Sequence, residues 1–92
     1  MRTQRDISND VVFRVFRNGG DVIALWPAVL TNKHYCQSYQ HIGQHGPADY
    51  NGLISITRLA SPVEYAELLK ELRRLGYSPN VIKRITPKHR SM

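Results

Sequence analysis

The sequence predicts an α+β domain in which an antiparallel sheet of about four strands is covered on one face by a helix over 62–75. Two local signals carry that expectation. One is a glycine-centred hairpin, Asn18-Gly19-Gly20-Asp21, between two β-rich runs; the other is a serine-capped, leucine-striped segment beginning at Ser61. Their order adds a third observation: strands come first, then helix, then a closing strand.

Taken along the chain, Met1 to Asn9 offers nothing periodic to bury and is expected to be a flexible N-terminus. From Val11 the pattern alternates, with Val11, Phe13 and Val15 against Val12, Arg14 and Phe16, as a strand requires. Asn18 to Asp21 tolerate the positive φ of a tight turn, and Val22 to Trp26 form the returning strand. Pro27 has no ladder donor and is expected to stop it. Tyr35 to Ile42 is a third, more polar strand, expected at an edge or beside a functional face. Tyr35, Gln37, Tyr39 and His41 share one side of it, and Cys36, Ser38, Gln40 and Ile42 the other. Gly43, Gly46 and Pro47 then read as a loop.

Asp49 to Arg58 fits both a helical stripe and a strand, and a short helix is the expected form. Ser61-Pro62-Val63-Glu64 is a capping box with proline at the first helical position, and such an N-cap contributes about 1 kcal/mol. Tyr65, Leu68, Leu69, Leu72 and Leu75 recur at helical spacing. Gly76 supplies a left-handed end, and Pro79 prevents continuation. Asn80 to Ile85 is the expected last strand, so that a single domain spans 10–86 and a basic tail 87–92.

With 92 residues and 41% hydrophobic side chains, the chain has room for one core but little for a deep cavity. A site is expected in a surface cleft or between subunits. The lone Cys36 precludes an internal disulfide, the first residues lack the apolar core of a signal peptide, and no apolar run is long enough to span a bilayer. These point to the cytoplasm, with no membrane partner. The net charge of +6 is concentrated late in the chain: after Glu71 there is no acidic residue. Lys83, Arg84, Lys88 and Arg90 could neutralise phosphates, although no helix-turn-helix, KH loop or RNA-recognition pattern accompanies them. A solvated helix face and tail explains the same charges.

One segment concentrates chemistry. Between His34 and Tyr50 lie three of four histidines, the only cysteine and three of five tyrosines. Imidazoles and polar aromatics beside flexible glycines suit recognition or proton transfer. A metal reading would use His41, His45 and Asp49 with Cys36 or His34 as a fourth ligand, yet Gly43, Gly46 and Pro47 argue against the helix that would align them. A nucleophilic reading would take Cys36 with His41 or His45 as base and Asp49 orienting the imidazole. A buried strand cysteine is more often inert packing, and a polar loop around glycine turns accounts for the histidines. Trp26 either completes the core or stands at the rim as an interface anchor.

Three segments together carry a resemblance: Val22-Ile23-Ala24-Leu25-Trp26-Pro27, Tyr35 through Gly46 with its Ser38-Tyr39-Gln40-His41-Ile42-Gly43-Gln44-His45-Gly46 core, and Thr57 through Ala66. They resemble a group of short bacterial hypothetical proteins of the accessory and mobile genome, carried on plasmids, phages and integron cassettes. The resemblance covers about residues 11 to 85. Trp26 stands where phenylalanine is usual in the group, and Leu59 where proline is usual. It implies a stand-alone gene product and no particular activity, and it draws attention to residues 38–46.

The function expected from these readings is a small non-catalytic binding or adaptor protein, forming a homodimer, with no cofactor or metal. Tyr39, His41, Gln44, His45 and Asp49 would form the recognition surface for a protein or small-molecule ligand. Nucleic-acid binding through Lys83, Arg84, Lys88 and Arg90 is the alternative, and a small metal- or Cys/His-dependent enzyme the third.

Overall fold

Asp10–Phe16 (β1) and Val22–Leu30 (β2) form the hairpin that the Asn-Gly-Gly-Asp turn demands, and every other strand is added around it. The computed structural model describes residues 7–31, 35–40 and 44–83, with only the backbone of Ile7, Gln44 and His45. Gly19 and Gly20 take φ of 100° and 78°, which L side chains rarely adopt, and the Phe16 N–H closes the loop on the Asp21 carbonyl at 2.9 Å. Ile7–Asn9, the end of the stretch expected to be flexible, forms a short 3-10 turn.

Cys36–Gln40 (β3) and Gln44–Ala48 (β4) continue the sheet beyond β2; Tyr50–Ile54 (α1), Thr57–Leu59 (β5), Pro62–Arg74 (α2) and Asn80–Val81 (β6) follow. The strand order is β4-β3-β2-β1-β5, with β6 also on β1. β5 and β6 divide one edge of β1: the Ala60 N–H donates to the Phe13 carbonyl and the Ile82 N–H to the Val11 carbonyl, each at 2.9 Å. β6 runs parallel to β1, while the other pairings are antiparallel.

The fold is therefore α+β and mostly antiparallel, but the sheet has six strands rather than about four. The residues expected to form a loop around Gly46 and Pro47 are instead edge strand β4. A proline is tolerated there because an outer strand can leave one side of its ladder unpaired. β3, expected at an edge or beside a functional face, is thereby enclosed between β2 and β4. Pro27 does not stop β2 either. Trp26 pairs with Gln37 and Leu30 with Cys36, so β2 carries extra residues at a bulge that accommodates the missing donor. The ambiguous 49–58 segment contains both the short helix and, after it, a strand.

Two apolar layers hold the sheet: α2 covers one face, as expected of the helix over 62–75, and α1 adds cover on the other. On the first, Val11, Phe13, Val15, Ala24, Trp26 and Tyr39 meet Leu68 and Leu72 of α2. Phe13 stacks on Tyr65 at 4.5 Å between ring centroids, and Trp26 lies against Tyr77 at 5.4 Å, so Trp26 completes the core rather than standing at the rim. On the second face, Ile23, Leu25, Cys36 and Ala48 are roofed by Tyr50 and Leu53 of α1. Burial on both sides explains the unbroken apolar run of β2, which one-sided cover would not require.

α2 begins and ends as its sequence dictates. The Ser61 N–H donates to Glu64 Oε1 at 2.9 Å, and the Glu64 N–H donates to Ser61 Oγ at 3.4 Å. At the other end Gly76 takes φ 99°, letting the Tyr77 N–H reach the Leu72 carbonyl and the Gly76 N–H the Arg73 carbonyl. Leu75 departs from the predicted leucine face: it is exposed, at the helix C-cap.

Glu64 also receives both arms of the Arg58 guanidinium, at 2.8 and 2.5 Å, which ties β5 to α2. That pairing, then the Ser61 bonds, holds the Glu64 carboxyl down from 4.5 to about 2. Because the folded value lies below the unfolded one, the contribution is fully present above pH 4.5 and is lost as pH falls through about 2. Glu64→Gln is therefore expected to melt below the parent at pH 7, with the gap closing between pH 4.5 and about 2. A gap that stays constant on thermal melts across that range would refute the assignment.

Candidate ligand cleft

The β3–β4 hairpin brings the chain back beside its own strand, and Asp49 then turns it onto α1, over the second face of the sheet. The angle between α1 and the strands leaves an open cleft of about 350 Å³. Ile23 from β2 and Ala48 from β4 supply a buried apolar floor, and Pro47 and Leu53 the apolar sides. Ser38 and Gln40, alternate residues of β3, face it with a hydroxyl and an amide; Asp49 and Gly52 complete the wall.

Hydrogen bonds fix this wall. The Ser38 hydroxyl donates to the Gly46 carbonyl at 2.8 Å, joining β3 to β4. The Leu53 N–H donates to the Asp49 carbonyl at 2.9 Å and closes the first turn of α1. At its other end the Thr57 hydroxyl donates to the Leu53 carbonyl at 2.6 Å. Thr57 is in turn held by Arg14, whose Nε donates to its hydroxyl oxygen at 2.7 Å and whose Nη2 donates to its carbonyl at 2.9 Å. Asp49 occupies the N-cap without a side-chain cap hydrogen bond.

The structure separates the residues that the sequence groups together. Asp49 is exposed and lines the cleft. Tyr39 is 1% exposed and belongs to the opposite layer, where its hydroxyl donates to Glu71 Oε2 on α2, so it is a core residue and presents no recognition surface. Gln44 and His45 lie on β4 with backbones opposite Gln40 and Tyr39. His41 and His34 are outside the described residues. Nothing in the sequence distinguishes Ser38, Gln40, Gly52 and Leu53 as site residues, although the period-2 pattern places Ser38 and Gln40 together. What it lacked was the position of α1, which decides which strand face borders a cleft.

Of the basic cluster, Lys83 is exposed beside a smaller apolar groove of about 210 Å³ lined by Phe13, Leu59 and Tyr65, among others. Arg84, Lys88 and Arg90 lie outside the described residues. Among the described residues no three His, Cys, Asp or Glu side chains gather as a metal site. Neither described helix is long and apolar enough to cross a membrane.

Cys36 sits in the second apolar layer, 2% exposed, and burial pushes its thiol from 9.0 to about 11. Two decades of pKa remove about two decades of thiolate at pH 8, and the thiolate is the nucleophile. Alkylation of native Cys36 by iodoacetamide at pH 8 is expected to be at least ~100-fold slower than in the urea-unfolded chain. Comparable rates, followed by mass spectrometry, would put the thiol in the open and revive the nucleophilic reading.

No family model, curated protein or solved structure matches the chain.

Proposed function

We propose that the protein is a small non-catalytic binding module of the adaptor type, and that it holds its ligand in the cleft between α1 and strands β2 to β4. The observation that carries this reading is the convergence of a carboxylate, a hydroxyl and an amide from Asp49, Ser38 and Gln40 on an apolar floor. A few polar groups set in an apolar recess give orientation as well as affinity. The only cysteine, buried and held as a thiol, is unsuited to nucleophilic attack, which favours binding over the catalytic alternative.

The proposal includes a homodimer. Ile54, Ile56 and Leu59 are exposed within six residues, with Ile56 52% accessible, and a second copy would remove such a surface from water. Sedimentation equilibrium on the chain and on Ile56→Glu tests this part: a parent that is monomeric at high concentration ends it.

For the cleft, the test is a fragment titration followed by 1H–15N amide shifts. Saturable shifts gathered at Ser38, Gln40, Ala48, Asp49, Gly52 and Leu53 are expected. Fragments that bind only elsewhere, or not at all, would overturn the proposal.

A further inference from the structure

From the way Asp49 is held, we infer that the cleft selects a cation on an alkyl stem, an ammonium or guanidinium group, with Asp49 as counter-ion and Gly52 as the residue that positions it. This rests on the cleft being the binding site and adds the chemistry of what enters it.

Gly52 gives the first reason. A Cβ at this position would lie 2.6 Å from Asp49 Oδ2 and 3.1 Å from its Cγ. Gly52 has none of the positive φ values that favour glycine, and glycine inside a helix is less favourable than alanine. The backbone therefore does not call for glycine here; the carboxylate does. Its place over the first turn of α1 exists because residue 52 has no side chain.

The second reason is what the carboxylate does not do. An aspartate at an N-cap ordinarily turns back to accept from the amides of the first helical turn. Asp49 makes no such bond, so its oxygens are not consumed in capping the helix. The third reason is charge. The chain has 13 Lys and Arg against seven Asp and Glu, yet among the described residues Asp49 is the one charged side chain lining the cleft. Its neighbours add acceptors: Ser38 spends its proton on Gly46, leaving its oxygen to accept, and Gln40 offers an amide oxygen. Ammonium and guanidinium groups are donors only, and Ile23, Ala48, Pro47 and Leu53 suit the methylene stem that carries them.

The experiment titrates the full 15N-labelled chain with butylguanidinium, its neutral isostere butylurea, and butyrate. Butylguanidinium is expected to shift the cleft amides saturably, with butylurea roughly tenfold weaker and butyrate weaker still. Asp49→Asn should reduce butylguanidinium to the level of butylurea. Gly52→Ala should do the same by displacing the carboxylate, without lowering the melting temperature, since alanine favours the helix. Equal binding of the neutral or anionic probe in the cleft, or no loss in Asp49→Asn, overturns the cation inference while leaving the cleft reading intact. If no probe moves the cleft amides, the cleft reading itself fails. An acetylated, amidated Gly-Arg-Gly peptide run alongside separates the two sources of the cation. Tighter peptide binding assigns an arginine side chain of a protein partner, and tighter butylguanidinium binding assigns a free small molecule.

Discussion

Replacing Leu72 by alanine is expected to lower the melting temperature by roughly 12–24 °C, from a loss of about 3 kcal/mol at some 4–8 °C per kcal/mol in a domain of this size. Leu72 is fully buried beneath the sheet, where α2 meets the layer that contains Phe13, Trp26 and Tyr39. Removing its branched end loses both transfer free energy and contacts that a close-packed neighbourhood cannot fully restore. Against a total stability of ~5–15 kcal/mol, that is a large fraction. Leu75 is the control. It belongs to the same leucine stripe in the sequence but is 55% exposed at the helix end, so Leu75→Ala should cost less than about 0.5 kcal/mol. Urea melts of the two variants that give similar losses would mean that α2 does not pack on the sheet through its Leu68–Leu72 side.

The contrast between those two leucines shows where sequence reasoning stops. Periodicity assigns both to one face, whereas the Schellman turn at Gly76 decides that the last of them swings clear of the core. What was legible was local. Gly19 and Gly20 declare the hairpin through positive φ, and Ser61 with Glu64 declares the helix through reciprocal bonds three residues apart. What was not legible depends on distant partners. Gln-His-Gly-Pro-Ala is a poor strand by composition and becomes β4 only because β3 offers it a ladder. β5 is three residues long and is specified by the free half-edge of β1. Pro27 survives inside β2 because a bulge removes the need for its missing donor.

The candidate site follows the same division. Its polar segment was visible as composition, and Asp49 within it lines the cleft. Tyr39 could not be assigned correctly without knowing which strand face α2 covers. An amphipathic tyrosine next to histidines looks like a recognition residue until a buried carboxylate is found above it.

That carboxylate leads to the second large expected effect. Glu71 is 8% exposed on α2 and accepts the Tyr39 hydroxyl from β3, across 32 positions of the chain. A hydrogen bond to a charged group is worth ~1.5–3 kcal/mol, and removing the donor leaves the acceptor with part of its desolvation cost uncompensated. Tyr39→Phe is therefore expected to destabilise by about 2 kcal/mol, although it deletes a single oxygen. The pair can be isolated by a double-mutant cycle with Tyr39→Phe and Glu71→Gln, read by urea denaturation, in which a coupling of ~1.5–3 kcal/mol is expected. Additivity within about 0.5 kcal/mol would show that the two groups do not act on one another. The same variant separates structure from recognition. Because the hydroxyl lies in the α2 layer and the cleft is on the other side of the sheet, Tyr39→Phe should leave cleft affinity for butylguanidinium unchanged at a temperature where the variant is folded. Asp49→Asn should give the reverse, an intact melting profile and a lost ligand. A Tyr39→Phe protein that keeps its stability but loses the ligand would return Tyr39 to the recognition surface and move the binding site to the face that α2 covers.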